Sequence, residues 1–230
     1  MTLVACLLGK DGLVLAADSR GTIGDPRGLT AINDSQRKLF QLTKFTGIVT
    51  YGQAELAAQM IEEIRKQVED QELGILPILD KSRDVLRERY HDWFKNIPLE
   101  SRQVLGFILG GLDSEGKPRA YYLSSPIDFA PQLVTTGVAL GGVPQYATYL
   151  AHRLYNPEMT RKHLLRLAVY LISETATQDP KVGGPIRAAE ISGETGYKEV
   201  DETTLNDIKE KNEQQNERLR EFFFGREERT

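Results

Sequence analysis

The stretch TLVACLLGKDGLVLAADSRGT, residues 2–22, decides the fold because two short apolar runs flank a turn signal within it. The pair Asp11-Gly12 lies between the runs 3–8 and 13–17, and glycine accepts the positive φ that a tight hairpin turn requires. Both runs are nearly continuous in apolar residues, which is typical of strands covered on both faces. The stretch therefore predicts a β-hairpin that is buried on both sides.

Further apolar runs and several amphipathic segments follow along the chain. The remaining strands are expected at 39–42, 47–51, 104–109, 120–123, 133–136, 185–191 and from 196 onward. Apolar residues at helical spacing predict helices over 53–70, 77–97, 144–155, 160–172 with Thr160 as a cap, and 203–224. The polar, turn-rich stretches 21–36 and 110–119 are interpreted as loops.

The order of these elements is strands, two helices, strands, two helices, strands and a helix. Two sheets that need both faces covered, together with two pairs of helices, predict an α+β fold of the four-layer α/β/β/α sandwich type. We expect a single domain over residues 1–212, followed by a charged helical tail over 213–230.

Composition and charge exclude several classes of partner. The 230 residues carry a formal net charge of −4 with both signs interspersed, which gives no electrostatic footprint for nucleic acid. No signal peptide and no apolar run long enough to span a bilayer are visible, so no membrane partner is expected. The single cysteine, Cys6, allows no disulfide within the chain, and this indicates the cytoplasm.

The sequence gives no support for metal or phosphate chemistry. The segment 111–117 has the spacing of a phosphate-binding loop, but Pro118 replaces the hydroxyl residue, and Asp113 and Glu115 would repel phosphate. We interpret it as a hairpin turn. The three histidines, His91, His152 and His163, lack metal-ligand spacing. Neither an HExxH nor a GxSxG motif is present. No cofactor is therefore expected.

The N-terminal residues include the groups that nucleophilic catalysis by an N-terminal threonine requires. Once Met1 is removed, the Thr2 hydroxyl can act as nucleophile, and its α-amine, with an ordinary pKa of about 7.7–8.0, can accept the proton. A nearby cation such as Lys38 would keep that amine neutral, and a buried lysine needs a carboxylate such as Asp18. Gly52, at a strand-to-helix junction, can offer an oxyanion N–H. We expect removal of Met1 alone, without self-cleavage of a longer leader, to free the amine.

These segments together resemble the proteasome β-subunit family of N-terminal nucleophile (Ntn) hydrolases. Residues 2–22 are similar to the family's opening hairpin, with Thr2 at the nucleophile position and Asp18 sixteen residues later at the acidic position. RKLFQL resembles the lysine segment and places Lys38 at the catalytic lysine, and TGIVTYG resembles the strand that delivers the oxyanion glycine, Gly52.

Later segments extend the resemblance to about residues 2–210. QDPKVGG is similar to the loop whose aspartate, here Asp179, braces the nucleophile, and ETGYKEV resembles the strand before the C-terminal helix. The resemblance further implies that Arg20 braces the same network and that Thr50 points toward the primary specificity pocket. Gly21 and Thr22 would line a cleft where an extended peptide adds as a strand.

The resemblance implies a threonine-type endopeptidase that cleaves peptides or unfolded proteins through an acyl-enzyme. It also implies a homo-oligomer, either a ring or a related assembly, and is compatible with an ATPase partner. The tail segment Phe222-Phe223-Phe224 is too apolar to be left in water, so we expect it to dock on a neighbour.

Departures from the family pattern keep two alternatives open. The loop between Asp18 and Lys38 is longer than usual, Gly141 or Gly142 replaces a supporting serine, and Val182 replaces a second one. The loss of these hydroxyls favours a non-catalytic scaffold subunit. A transpeptidase of the same fold is the other alternative, since a second amine could resolve the acyl-enzyme in place of water.

Overall fold

The centre of the fold is the predicted hairpin of β1 (Leu3–Gly9) and β2 (Gly12–Ala17), which the computed structural model confirms. Gly9 lies opposite Gly12 at the turn, and both strands are buried along nearly their whole length. Gly12 has a φ of +142°, and a Cβ there would lie 2.3 Å from the Ile191 carbonyl oxygen. The turn therefore requires glycine at this position.

The structure describes residues 2–25, 28–68 and 74–225. After the central hairpin the strands are β3 (Gly21–Asp25), β4 (Gly28–Asn33), β5 (Leu39–Thr43), β6 (Thr46–Gly52), β7 (Leu105–Leu112), β8 (Pro118–Ser124), β9 (Gln132–Leu133), β10 (Val138–Gly142), β11 (Arg187–Ser192) and β12 (Gly196–Glu199). The α-helices are α1 (Ala54–Val68), α2 (Ile75–Phe94), α3 (Gln145–Leu154), α4 (Arg161–Gln178) and α5 (Glu202–Phe224).

Two five-stranded antiparallel sheets form the inner layers. The first has the strand order β10-β1-β2-β11-β12, and the second has the order β5-β6-β7-β8-β9. Helices α3 and α4, with the start of α5, pack on the outer face of the first sheet, and α1 and α2 cover the second. A third apolar cluster fills the space between the sheets. The predicted α/β/β/α sandwich is confirmed.

Paired glycines set the distance between the two sheets. Gly47 of β6 lies opposite Gly110 of β7, and both face the first sheet. A Cβ on Gly47 would lie 2.7 Å from Leu15 and 2.7 Å from the ring of Tyr197. Those contacts are shorter than any that packed side chains tolerate, so the close approach of the sheets depends on the missing side chain.

The loop prediction for residues 21–36 is wrong. Strands β3 and β4 pair with each other there and form a separate two-stranded sheet. Ile23 and Ile32 of these strands are exposed and join no core. The two strands therefore need no continuous apolar run, and the sequence contains none there. Without that burial the pattern carried no strand signal.

Two strands and one helix cap also differ from the predictions. Strand β10 was not predicted, because it ends in Gly141-Gly142 and the apolar signal is short; the expected strand 133–136 is reduced to β9. Thr160 precedes α4, but its side chain makes no capping hydrogen bond to the helix backbone.

The segment that imitates a phosphate loop is the hairpin turn between β7 and β8, as predicted. The turn is tighter than expected, because β7 continues to Leu112 and β8 begins at Pro118. The Asp113 carboxylate accepts hydrogen bonds from the amides of Glu115 and Lys117 at 3.0 and 2.9 Å. That carboxylate occupies the turn amides that a phosphate would need.

Helix α5 runs without interruption across the proposed boundary at residues 212/213. Asn212 donates a hydrogen bond to the Arg166 carbonyl oxygen of α4 at 3.3 Å, and Leu205 is buried against the same layer. The division into domain and tail remains a prediction. Within the described parts of the chain, no helix is long and apolar enough to cross a membrane.

We predict that Gly47→Ala lowers the free energy of unfolding by about 1–3 kcal/mol, because its methyl group overpacks the space between the sheets. The matched control is Gly193→Ala, since a Cβ at Gly193 would meet no atom within 4 Å. Urea unfolding at fixed protein concentration measures both variants. Equal stability of the two variants would contradict the packing described for the sheets.

Candidate active site

Thr2 lies immediately before β1 and is nearly buried, with 5% of its surface exposed. Its carbonyl oxygen accepts a hydrogen bond from the Val143 amide at 2.8 Å. The pairing of Leu3 with Gly142 fixes the head of β1 against β10. Met1 lies outside the described residues. The backbone around Thr2 is therefore held on one side by the neighbouring strand.

A buried ion pair lies next to this position. The Lys38 ammonium contacts Asp18 Oδ1 at 2.7 Å, and the two side chains are 3% and 0% exposed. The same Oδ1 accepts a hydrogen bond from the Leu3 amide at 3.1 Å. One carboxylate oxygen thus binds both the lysine and the residue that follows Thr2. The structure brings Asp18 and Lys38 together at the head of β1.

The pair makes further hydrogen bonds to the backbone. Asp18 Oδ2 accepts from the amides of Arg20 and Gly183 at 3.2 and 3.1 Å. Lys38 Nζ donates a second hydrogen bond to the Arg20 carbonyl oxygen at 2.7 Å. Ion pairs removed from water are tolerated when such hydrogen bonds compensate for the lost hydration.

Burial dominates the electrostatics of both partners. Desolvation lowers the pKa of Lys38, and the attraction and hydrogen bond of Asp18 oppose that shift. Desolvation likewise raises the pKa of Asp18, against the opposing effect of Lys38 and of the backbone amides. Each group therefore depends on the other to remain charged. Perturbed pairs of this kind are concentrated at functional sites.

Gly52 ends β6 just before α1, as the sequence predicts. It has a φ of +103°, and a Cβ would lie 2.2 Å from the Val104 carbonyl oxygen. Both observations restrict this exposed position to glycine. Thr50 lies two residues earlier, is buried, and donates a hydrogen bond to the Gly106 carbonyl oxygen at 3.2 Å. Its hydroxyl is therefore used within the sheet.

The structure leaves no room for a side chain at either position that could have held the first supporting serine. A Cβ on Gly141 would lie 2.4 Å from the ring of Tyr51. Gly142 has a φ of +93°, and a Cβ there would lie 1.8 Å from the Thr2 carbonyl oxygen. A serine cannot occupy this backbone position without moving the head of β1. Val182, at the place of the second hydroxyl, is fully buried, and its amide donates to the Asp179 carbonyl oxygen.

Asp179 has a local role in the described structure. Its carboxylate accepts a hydrogen bond from the Lys181 amide at 2.8 Å, and none of its described hydrogen bonds reaches Thr2. The loop contacts the ion pair through the Gly183 amide instead. Both Gly183 and Gly184 have positive φ, a backbone feature that the side-chain pattern of the sequence does not encode.

Arg20 forms a second ion pair beside the first. Its Nε and Nη2 contact the two carboxylate oxygens of Asp34 at 2.7 and 2.8 Å, and Nη1 donates to the Pro180 carbonyl oxygen at 3.0 Å. Asp34 was not predicted from the sequence, because it lay in the stretch interpreted as a loop. Gly21 and Thr22 follow Arg20 as the start of β3, and both are half-buried.

The described residues offer neither a metal-binding cluster nor a reactive thiol. Among the described residues, no group of three or more His, Cys, Asp or Glu side chains is arranged to hold a metal ion. Cys6 is fully buried between the sheets, and burial raises the pKa of its thiol far above the ordinary range. A neutral, inaccessible thiol is a core residue.

Comparison with known proteins gives one family. The family model described as Proteasome subunit matches residues 2–191. Proteasome subunit beta 2 of Caldivirga maquilingensis is 26% identical over 191 residues, which are 83% of this chain and 89% of that protein. Both comparisons extend over most of the chain.

Solved structures show the same fold. An Anbu mutant from Hyphomicrobium sp. strain MC1 has a TM-score of 0.76 at 17% identity and covers 100% of both chains. A structure titled as the helical assembly of the Anbu complex from Pseudomonas aeruginosa has a TM-score of 0.73 at 19% identity, covering 96% of this chain and 95% of that one. At these identities the likeness concerns the fold alone.

We predict that Asp18→Ala lowers the free energy of unfolding by about 3–5 kcal/mol, because it leaves the buried Lys38 ammonium unpaired. It also removes the acceptor of the Leu3, Arg20 and Gly183 amides. Urea unfolding provides the measurement.

The control is Glu115→Ala, which breaks the Lys117–Glu115 pair, where both side chains are mostly exposed. Exposed pairs contribute about 0–1 kcal/mol, so this variant should remain close to the parent protein. Similar losses in the two variants would show that the Asp18 carboxylate is not the buried anchor described here.

Proposed function

Because the chain belongs to the proteasome subunit family, we propose that it is an N-terminal threonine peptidase whose nucleophile is Thr2, after removal of Met1. The observation that supports this most strongly is the buried Lys38–Asp18 pair. Its carboxylate also accepts a hydrogen bond from the Leu3 amide, so a fixed cation and anion lie beside the residue that follows the candidate nucleophile.

The first chemical step uses both groups of Thr2. The neutral α-amine accepts the hydroxyl proton while Oγ attacks the carbonyl carbon of the scissile peptide bond. The tetrahedral intermediate then collapses, the protonated amine gives its proton to the leaving nitrogen, and an ester forms on Oγ. The role of Lys38 is electrostatic, because a nearby cation lowers the pKa of an amine and keeps it able to act as a base.

The peptide backbone would stabilise the developing charge and align the substrate. The Gly52 N–H donates to the oxyanion at the exposed end of β6. Gly21 and Thr22 offer the start of β3 to an extended peptide that adds as a strand. Thr50, which is buried two residues before Gly52, would form part of the floor of the specificity pocket.

Water completes the reaction by attacking the ester, with the Thr2 amine again acting as the base. The products are a free carboxylate and the restored threonine. An incoming amine would give a new peptide bond instead, and that outcome defines the transpeptidase alternative. The same residues serve both reactions, and product analysis in the presence of a competing amine separates them.

A non-catalytic scaffold subunit is the second candidate. The observation in its favour is that Gly142 leaves no room for a side chain beside Thr2, and that Val182 is buried and apolar. Neither position can supply a hydroxyl to the amine. If the chain is a scaffold subunit, we expect Met1 to be retained, since a retained methionine blocks the Thr2 amine that would act as the base.

We also propose that the chain works in a multi-subunit assembly of identical copies, in keeping with its family. Phe222, Phe223 and Phe224 at the end of α5 are 80%, 69% and 84% exposed, and such a patch is favourable only when another surface covers it. Peptides or unfolded proteins are the proposed substrates, and an ATPase is the proposed partner, because folded substrates must be unfolded first.

We predict that Thr2→Ala lowers peptidase activity on fluorogenic peptides at least about 10³-fold, because the amine then has no hydroxyl to activate. Intact mass should show a chain that begins at residue 2 in both the parent and the variant, since alanine also permits methionine removal. Thr2→Ser, which keeps a hydroxyl and an amine, should retain measurable activity. Full activity of Thr2→Ala, or an active parent that retains Met1, would refute this scheme.

We predict that kcat/KM increases with pH along one acidic limb whose midpoint lies below about 7.7–8.0, the ordinary range for an α-amine. Activity increases with pH because the amine must be neutral to act as the base, and protonation at low pH removes that base. The Lys38 cation disfavours the protonated amine, so it shifts the midpoint of the limb to lower pH. A pH–rate profile on a neutral peptide measures it. Activity that falls as pH rises through this range would contradict the role given to the amine.

A further inference from the structure

The Arg20–Asp34 ion pair joins three separate segments of the chain. The guanidinium contacts both carboxylate oxygens of Asp34, at 2.7 and 2.8 Å, and this two-point geometry fixes the plane of the Arg20 side chain. Its third nitrogen donates to the Pro180 carbonyl oxygen at 3.0 Å. The pair therefore ties the end of the central hairpin to the segment after β4 and to the 179–184 loop.

Two glycines allow this loop to lie directly on the pair. A Cβ on Gly183 would lie 2.6 Å from the Arg20 guanidinium carbon, and one on Gly184 would lie 2.9 Å from Asp34 Cβ. The backbone of the loop thus packs on the pair without an intervening side chain. Two backbone hydrogen bonds hold the same segments together. The Ser19 amide donates to the Gly183 carbonyl oxygen of the loop, and the Gln36 amide donates to the Ser19 carbonyl oxygen.

Arg20 connects this arrangement to the proposed catalytic lysine. The carbonyl oxygen of Arg20 accepts one of the two hydrogen bonds of Lys38 Nζ at 2.7 Å, and its amide donates to Asp18 at 3.2 Å. The side chain of Arg20 is held by Asp34, while its peptide groups hold the Lys38–Asp18 pair. A shift of the Arg20 backbone would move an acceptor of the ammonium directly.

We propose that Asp34 is a positioning residue, which fixes the direction of the Lys38 ammonium by anchoring Arg20. This inference rests on the function proposed above, because Lys38 matters for catalysis only if Thr2 is the nucleophile. It adds a residue from the segment between β4 and β5, which lies within the lengthened part of the chain between Asp18 and Lys38.

The effect is geometric rather than a direct action of charge. Asp34 attracts the Lys38 ammonium through space and Arg20 repels it, so that the two charges oppose each other in their effect on the Lys38 pKa. Asp34 is also 41% exposed, and water and salt weaken its attraction. The two-point contact with Arg20 and the packing of Gly184 on Asp34 do not depend on that attraction. Removal of the carboxylate should therefore act through loosened geometry at the Arg20 carbonyl oxygen.

The test is a double-mutant cycle with Asp34→Ala, Arg20→Ala and the double variant, measured in the intact assembly. The kinetic readout is the separation of kcat from KM on a fluorogenic peptide. The second readout is the rate at which acetic anhydride labels Lys38, followed by peptide mass spectrometry with the exposed Lys117 as internal reference. Labelling of Lys38 requires neither turnover nor a free Thr2.

We expect Asp34→Ala to lower kcat by about 10- to 100-fold with little change in KM, since a small misplacement of a catalytic group has an effect of this size. Labelling of Lys38 should become several-fold faster relative to Lys117. The double variant should be no worse than Arg20→Ala alone, because the two side chains act as one unit.

The matched control is Glu199→Ala, which removes the partner of Arg37, the residue that precedes Lys38. That ion pair is exposed and does not contact the Lys38–Asp18 pair, so kcat and the labelling rate should match those of the parent. If Asp34→Ala fails to fold, Asp34→Asn keeps the side-chain shape without the charge, and it should shift both readouts in the same direction by a smaller factor.

Wild-type kcat and Lys38 labelling in Asp34→Ala would overturn the inference. So would a fall in kcat with unchanged Lys38 labelling, because that result shows that the loss of activity does not involve a displaced lysine. Far-UV circular dichroism must match that of the parent, since unfolding would itself expose the buried Lys38 and speed its labelling. A parent protein that has a free Thr2 but no turnover counts against the proposed function alone. The labelling rate of Lys38 then decides the role of Asp34 by itself.

Discussion

The buried ion pair between Lys38 and Asp18 is the interaction on which the site depends. Two opposite charges removed from water remain charged only while each has its partner and its hydrogen bonds. Here those bonds come from the backbone of Leu3, Arg20 and Gly183, which belong to different parts of the chain. The charged pair therefore exists only when these segments are correctly assembled, and it positions them in return.

The layered fold supplies the geometry that this pair needs. The central hairpin brings the end of β2 back to the head of β1, so that Asp18 lies beside the residue that follows Thr2. Strand β5 of the second sheet begins directly after Lys38, and close contact of the two sheets delivers the lysine to the carboxylate. Gly47 is part of the same requirement, because a side chain there would separate the sheets.

Sequence reasoning could predict those parts of the site that follow from strand burial and charge. A charge at the end of a buried strand needs a partner, and this argument, with the family resemblance, selected Asp18 and Lys38. The roles of Gly183 and Asp34 could not be predicted. Both residues reach the site through the conformation of the backbone around them, and the side-chain pattern of the sequence does not encode that conformation. The β3–β4 hairpin was missed for a related reason: it buries too little apolar surface to produce a periodic signal.

The central claim is that a single residue, Thr2, provides both the nucleophile and its base. The most direct measurement is reaction with a peptide α′,β′-epoxyketone, which closes a ring only on a residue that has both a free amine and a neighbouring hydroxyl. The account predicts an adduct with the full mass of the reagent, mapped by tandem mass spectrometry to Thr2 through both atoms. An unmodified N-terminal peptide in a chain that begins at Thr2, or an adduct at another residue, would contradict it.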